Sequence, residues 1–338
     1  MSELSDAEEQ AQLTAAQVEA QNQDEPKEQR PVEPRVRKLN IIGRRNWYFA
    51  LSLLIIIPGI IAMATWHFRL GIDFAGGTEF TLLFQDHPTA AAVNSAVNSV
   101  LGAENSTGVV IETGNGGFII RTGPTSPQQQ KLIEDQLQSK LGPMTPQSVL
   151  EVGGTIAGET IGFALLAVVL ASVAILFLLA IRFRKVPGGW RAGFQFGGSA
   201  LAALLHDVFI LTGIFAILGH FDRIGEINSL FVTAVLTVVG FSVHDTIVVF
   251  DRIRENLRVS QRLSFEQVVN LSIMQTAARS IITSFTVVLV LAAILLTGGD
   301  TLKGFALALM IGIVSGTYSS IFNAAPLLVV WRRVQQLR

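Results

Sequence analysis

The sequence predicts a polytopic α-helical membrane protein with six transmembrane helices and a small ferredoxin-like α+β domain between the first two. Three observations predict this class. The 338 residues are 50% hydrophobic and only 15% charged, too apolar a composition for a soluble chain of this length. Six apolar stretches approach the roughly 20 residues that a helix needs to cross a bilayer. One long segment between them has the short, turn-bounded runs of strands.

Composition excludes several classes of function. The chain has no Cys and a formal net charge of -1. Disulfides, thiol nucleophiles and Cys-based zinc sites are therefore excluded, and nucleic acid is a poor candidate for a partner. The five His show no H-E-x-x-H spacing, and no G-x-x-x-x-G-K-[ST] phosphate loop occurs. The sequence predicts no metal, no cofactor and no enzymatic activity.

The apolar stretches and the charges between them define the predicted organisation. Residues 1–34 hold nine acidic and two basic residues, which predicts a disordered tail. A basic flank, 35–46, follows it. The six spans are predicted at 47–66, 159–181, 194–218, 227–250, 280–297 and 304–331. Residues 251–279 are expected to form an amphipathic cytoplasmic loop that lies on membrane lipid or a partner.

Lys and Arg flank the spans unequally. One side has basic clusters at 35–45, 182–191, 252–262 together with Arg279, and 332–338, whereas the short loops of the other side have only Arg223 and Lys303. The positive-inside bias therefore places both termini in the cytoplasm, in a multi-pass protein of the cell membrane.

Residues 67–158 are predicted to form the extracytoplasmic domain. Residues 109–113 and 118–122 flank a Gly-rich turn, which indicates a hairpin. The predicted order β-α-β-β-α-β is that of a ferredoxin-like module. No catalytic cluster is visible in it, so a mechanical or binding role is expected.

Ionisable residues inside the spans are the candidate functional residues, because each costs about 2.5–3.5 kcal/mol at a helix centre. Asp245 lies in the fourth span and Arg279 opens the fifth. Thr276, Thr283 and Thr286 are expected to share the inward face of Arg279. Asp245 and Arg279 should lie at comparable depths and meet, as a proton-conducting pair or as a static ion pair.

Asp207, His244 and Thr283 form a possible secondary polar site. His206 and His244 each precede an Asp, but adjacent helical residues do not face each other, which argues against a proton relay through them. G-x-x-x-G spacings at 158/162, 193/197 and 312/316 predict close helix contacts.

Three segments resemble the SecF family of the resistance-nodulation-division (RND) superfamily. They are GIDFAGGT at 71–78, VGFSVHDT at 239–246 and DRIREN at 251–256, and the resemblance extends from about residue 37 to the C-terminus. The family commonly has Asn where this chain has His244.

The resemblance implies a subunit that pairs with a separate SecD chain beside the SecYEG channel, with SecA and YajC as further partners. It also implies use of the proton motive force to complete preprotein translocation and release. Asp245 and Arg279 match the family's proton-conducting residues, and Gly71, Asp73, Gly76 and Gly77 match the segment that couples the outer domain. An RND-type small-molecule or lipid exporter and a non-conducting structural subunit are the alternatives.

Overall fold

The computed structural model describes residues 39–101, 109–113, 117–260 and 262–336. The predicted tail, 1–34, the first four residues of the basic flank and most of the predicted hairpin turn lie outside these residues.

Six helices in the described residues are long and apolar enough to cross a membrane. We name them TM1 to TM6. Their bounds are Arg45–Thr65, Gly154–Phe183, Gly189–Phe221, Ser229–Val259, Phe265–Thr297 and, for TM6, Asp300–Ser319 followed by a π-helical turn at Ser320–Ala324 and a last helix at Ala325–Gln336. The six-helix fold class is confirmed.

Most of the loop predicted at 251–279 is helical instead. TM4 continues to Val259, and TM5 begins at Phe265. Ser264 starts TM5 with a capping box, in which its hydroxyl accepts from the backbone N–H of Gln267 and the Gln267 side chain accepts from the N–H of Ser264. This cap supplies partners for N–H groups that the first helical turn leaves unpaired. The two helices therefore extend beyond the apolar stretches from which the spans were predicted.

TM3, TM4 and TM6 form the centre of the bundle. Between 44% and 61% of their most apolar windows is buried, against 17% or less for TM1, TM2 and TM5. The peripheral helices therefore present broad apolar faces to lipid or to a partner.

Between TM1 and TM2 lies a four-stranded antiparallel sheet. Its strands are β1 (Gly77–Phe84), β2 (Val109–Thr113), β3 (Gly117–Thr122) and β4 (Met144–Val152), and two helices, α1 (Ala90–Leu101) and α2 (Pro127–Leu141), complete it. The spatial order β2-β3-β1-β4 is that of a ferredoxin-like fold, as predicted. Phe80, Phe84 and Phe118 are fully buried in its core.

Two of the three predicted G-x-x-x-G pairs make close helix contacts within the chain. A Cβ atom on Gly193 would overlap the backbone of TM2 at Ala180, and one on Gly312 would overlap Val238 of TM4. No atom lies within 4 Å of such a Cβ on Gly158 or Gly162. Absence of a side chain lets two helix backbones approach closely, and at 158/162 no helix among the described residues does so.

Candidate functional site

Asp207, near the middle of TM3, has hydrogen-bond partners on both of its carboxylate oxygens. It is 1% exposed. Its Oδ2 accepts hydrogen bonds of 2.6 Å from both Ser242 and Ser319, and its Oδ1 accepts one of 2.7 Å from Ser315. Nδ1 of His206 lies 3.0 Å from Oδ1. One carboxylate thus joins TM3, TM4 and TM6.

The contact between His206 and Asp207 corrects the sequence argument against a pairing of adjacent residues. Both side chains lie in the interior of the bundle, since the His206 side chain is 10% exposed and that of Asp207 is 1% exposed. The rule of spacing describes neighbours on a helix surface. It does not prevent an imidazole from lying along its own helix and reaching the next side chain.

Asp245, on TM4, has different surroundings. It is 4% exposed, and the hydroxyl groups of Ser280 on TM5 and Thr317 on TM6 lie against it. Its Oδ2 and the Oγ of Ser280 have no hydrogen-bond partner among the described protein groups. A buried carboxylate with an unpaired oxygen is costly in its charged form, and such a group is suited to binding a proton.

Arg279 does not pair with Asp245. The predicted depth is correct, because Ser280, the next residue, lies against Asp245, but Arg279 itself is exposed. No ion pair between the two occurs in the part of the chain that the structure describes. Of the predicted inward stripe, Thr276 is buried as expected, whereas Arg279, Thr283 and Thr286 are exposed. The buried face of TM5 instead continues from Thr276 through hydroxyls four residues apart, Ser280 and Ser284.

Polar side chains therefore lie on the outward faces of TM4 and TM5. Thr283 and Thr286 are exposed with Arg279 on TM5, and His244 is exposed on TM4. The predicted secondary site does not form as one cluster, since Asp207 is buried whereas His244 and Thr283 face outward. We call the exposed group of Arg279, Thr283, Thr286 and His244 the exposed polar face of the bundle.

The segment before β1 is clamped to the start of TM4. Oδ2 of Asp73 accepts hydrogen bonds from both the backbone N–H and the hydroxyl of Ser229, at 2.8 and 2.7 Å. The N–H of Gly71 donates to the carbonyl of Ile227, and the N–H of Ile227 donates to the carbonyl of Arg69, both at 2.8 Å. Asp73 thus caps the first turn of TM4, a position that favours an anion.

Gly76 and Gly77 form the turn from this clamp into β1. Their φ angles are +72° and +129°, values that residues with a Cβ rarely adopt. A Cβ on Gly77 would also overlap the carbonyl oxygen of Thr122 on β3. The predicted coupling residues Gly71, Asp73, Gly76 and Gly77 therefore lie together at the junction of sheet and bundle.

A second contact across the junction was not predicted. Arg121 on β3 donates to Glu79 on β1 at 2.6 Å and to Glu226 in the turn before TM4. Burial disfavours charge on Arg121, but Glu226 and Glu79 outweigh that effect and raise the pKa of the guanidinium. The cross-strand pairing of Glu79 with Arg121 could have been found from strand register, whereas Glu226 comes from a distant loop.

Removal of Arg121 should weaken the junction more than removal of Glu226. Arg121→Met leaves two carboxylates, 18% and 10% exposed, without their cation, which should cost about 2–3 kcal/mol. Glu226→Gln leaves Arg121 paired with Glu79, so we expect about 1 kcal/mol. Hydrogen exchange of the Gly71 and Ile227 amides would measure both. Equal losses in the two variants would contradict a three-residue ion cluster.

These features define a class of protein, a multi-pass membrane protein with a small α+β domain. Its fourth helix bears a carboxylate that is buried in the bundle, and the start of that helix is hydrogen-bonded to the segment that leads into the α+β domain. A family model described as protein export membrane protein SecD/SecF, C-terminal, matches residues 133–334, and the SecD/SecF GG motif matches residues 61–86. The chain belongs to the SecF family of protein translocase subunits.

Curated relatives match nearly their whole length. Protein translocase subunit SecF of Thermobaculum terrenum is 45% identical over 311 residues, which are 89% of this chain and 96% of that protein. The SecF subunit of Anaerolinea thermophila is 40% identical over 297 residues, 87% of this chain and 94% of that one.

Solved structures of SecDF share the fold. The crystal structure of SecDF, a translocon-associated membrane protein from Thermus thermophilus, matches with a TM-score of 0.74 and 32% identity over 87% of this chain. A SecDF structure in a super-membrane-facing form matches with a TM-score of 0.63 and 29% identity. In both, the match covers 39% of the SecDF chain, so this chain corresponds to less than half of that polypeptide.

Proposed function

We propose that this chain pairs with a separate SecD chain and uses the proton motive force to promote late-stage preprotein translocation and release outside the membrane. It acts beside the SecYEG channel, with SecA and YajC as further partners. The single observation that carries the proposal is the division of ionisable groups in a SecF-family bundle. The carboxylate of Asp245 is buried inside the helix bundle, whereas the guanidinium of Arg279 is exposed on the surface of the bundle.

The distribution of Lys and Arg supports the orientation. If both termini lie on the cytoplasmic side of the cell membrane, the ferredoxin-like domain lies on the extracytoplasmic side. The turn that contains Ile227 lies on that side as well. The clamp between Asp73 and Ser229 then couples the outer domain to the outer end of TM4.

The exposed polar face of the bundle supports pairing with SecD. An Arg exposed to lipid costs at least about 2.5–3.5 kcal/mol at the centre of a membrane helix. Helices of a partner that bring an acid and hydroxyls to Arg279 and Thr283 would remove this cost. A SecD chain is the proposed partner because the solved SecDF structures contain a polypeptide more than twice as long as the matched part.

TM4 supplies the mechanical link between proton and outer domain. Asp245 lies 16 residues after Ser229 on one helix, about 24 Å at 1.5 Å per residue. Binding of a proton at Asp245 removes a buried charge, and its contacts with Ser280 and Thr317 change as a result. A shift of TM4 against TM5 and TM6 is then transmitted to Asp73, because Asp73 is hydrogen-bonded to Ser229, the first residue of TM4.

The pairing can be tested by co-expression with SecD and affinity purification. We expect SecD to co-purify, and Arg279→Met to reduce its yield at least about tenfold, a change equivalent to about 1.4 kcal/mol. Arg262→Met, in the turn between TM4 and TM5, is the matched control and should leave the yield unchanged. Failure of SecD to co-purify with the wild-type chain would refute the proposed complex, and a wild-type yield from Arg279→Met would refute the role of Arg279 in it.

A further inference from the structure

A groove on the surface of the bundle runs between TM1 and TM5, and TM6 forms most of its floor. We propose that this groove binds an acyl chain of an anionic phospholipid, whose headgroup lies at Arg44 and Arg45 near the start of TM1. The inference requires that the helices span a membrane, and it does not rest on a role in export.

Two adjoining cavities make up the groove. They share Val288, Val314 and Tyr318, and their volumes are about 500 and 310 Å³. Together they extend along TM6 from Met310 to Phe322, a distance of about 18 Å at 1.5 Å per residue. One leaflet contributes about half of the roughly 30 Å hydrocarbon core of a bilayer. The groove therefore has the length of a single lipid chain.

The packing of TM1 leaves this space open. The residues just before TM1 are joined to TM5, because the N–H of Ile41 donates to Oδ1 of Asn270 at 2.8 Å. Further along, TM1 packs on TM3, where a Cβ on Gly59 would lie 2.8 Å from the Cα of Gly213. Between these two contacts TM1 leaves TM6 uncovered on the side of TM5, and Val314 on the floor is 55% exposed.

The lining suits a hydrocarbon chain and not a further helix. Leu51 of TM1 and Ile281 and Phe285 of TM5 are exposed apolar side chains of the walls. The larger cavity runs from Met310 to Tyr318, and a helix segment of that length, about 12 Å, would occupy about 900 Å³ at a diameter of 10 Å. Because the cavity offers about 500 Å³, it takes a narrower occupant.

Basic side chains lie at one end of the groove. Arg44 is exposed and precedes Tyr48 by four residues and Leu51 by seven, a spacing that places the three on one face of the helix. The Tyr48 ring packs on Phe322 at 4.5 Å, where the groove ends. Arg44 therefore lies one helical turn beyond that end, at the level of a lipid headgroup.

The charge at this end is mainly positive. Arg45 lies 3.5 Å from Glu266 of TM5, and its side chain is 19% exposed. The guanidinium of Arg332 on TM6 lies over the Phe265 ring at 4.3 Å. Basic pockets between membrane helices bind anionic headgroups. Since the surrounding bilayer is hydrocarbon like the groove, the headgroup and not the chain gives the site its preference.

The groove also borders the surroundings of Asp245. Ser284 and Thr317 line the smaller cavity and are hydrogen-bonded to each other, and the hydroxyl of Thr317 lies against Asp245. A lipid chain in the groove thus contacts the segment of TM6 that packs on Asp245.

The test is photolabelling of the full-length chain in phosphatidylcholine nanodiscs, with SecD if it co-purifies. The probe is phosphatidylglycerol with a diazirine in its acyl chain, and labelled residues are located by mass spectrometry. We expect label at 310–322 of TM6, and we expect unlabelled phosphatidylglycerol to displace it at least about fivefold better than phosphatidylcholine. The exposed residues 165–170 of TM2 report bulk lipid, where the two competitors should act equally.

Two variants with matched controls test the chain and the headgroup separately. Val314→Trp fills the groove and should reduce the labelling of 310–322 at least about fivefold, whereas Val290→Trp, at an exposed position of TM5 outside the groove, should not. Arg44→Gln should reduce the preference for phosphatidylglycerol about fivefold, equivalent to about 1 kcal/mol. Arg191→Gln, at an exposed position on the same side of the membrane, should retain that preference.

Three results would overturn the inference. Equal displacement by the two lipids at 310–322 would show that the groove holds bulk lipid only. Label on TM2 without label at 310–322 would show that another helix covers the groove. Unchanged labelling and preference in both Val314→Trp and Arg44→Gln would place the lipid elsewhere. Because the readout is lipid contact, each result is independent of whether the chain acts in export.

Discussion

Asp245→Asn is expected to abolish proton-driven export by the complex of this chain with SecD. Asparagine has nearly the same shape as aspartate, so the packing of TM4 against Ser280 and Thr317 should be retained. It cannot bind or release a proton at physiological pH, and the proposed cycle stops. In proteoliposomes we expect the gain in preprotein release that follows an imposed proton gradient to fall at least about tenfold, or about 1.4 kcal/mol.

The matched control removes the same charge from the same helix. Asp251, six residues further along TM4, pairs with Arg182 at 2.9 Å and with Arg254 at 3.4 Å near the end of the bundle. Partly exposed pairs of this kind contribute about 0–1 kcal/mol. Asp251→Asn should therefore retain the response to the gradient. A full response in Asp245→Asn, or an equal loss in both variants, would contradict a specific role for Asp245.

A disulfide across the junction of sheet and bundle should leave proton-driven export intact, because the proposed mechanism transmits the shift of TM4 through this contact. Leu70 and Ile227 are partners in a parallel bridge, and such neighbours lie about 4.7–4.9 Å apart, within the range that a disulfide requires. The chain has no natural Cys, so Leu70→Cys with Ile227→Cys creates a single possible bridge. Because the clamp must stay closed to transmit the shift of TM4 to Asp73, oxidation should leave the response to the gradient unchanged.

Reduction of the bridge is the internal control, because it returns the same sample to the unlinked state. The two single-Cys variants should be unaffected by oxidant. Loss of export on oxidation, with recovery on reduction, would show that the outer domain must separate from the start of TM4 and would contradict transmission through a closed clamp.

The fold class was predictable because its signals are continuous along the chain. Apolar stretches of membrane length and the β-α-β-β-α-β order require no knowledge of distant contacts. Helix ends were less predictable, as the capped start of TM5 at Ser264 shows. A cap depends on a few polar residues just outside the apolar stretch, and those residues were assigned to a loop.

The level of Asp245 along TM5 was predictable, but the face of TM5 that is buried was not. Antiparallel neighbours joined by one turn fix the level of Asp245 relative to TM5, and the contact with Ser280 agrees with that level. Which face of TM5 is buried depends on TM4 and TM6 together, so Arg279 was assigned to the wrong side. The three serines around Asp207 come from two helices, and no spacing within one helix indicates them.

Infrared difference spectroscopy of the assembled complex with SecD tests the central claim most directly, because it detects the proton on Asp245 itself. A band from a protonated carboxyl group should appear as the outer side is acidified, disappear on return to alkaline pH, and be absent from Asp245→Asn while Asp251→Asn retains it. If Asp245 keeps one protonation state under every imposed gradient, it is a fixed structural group and does not conduct protons.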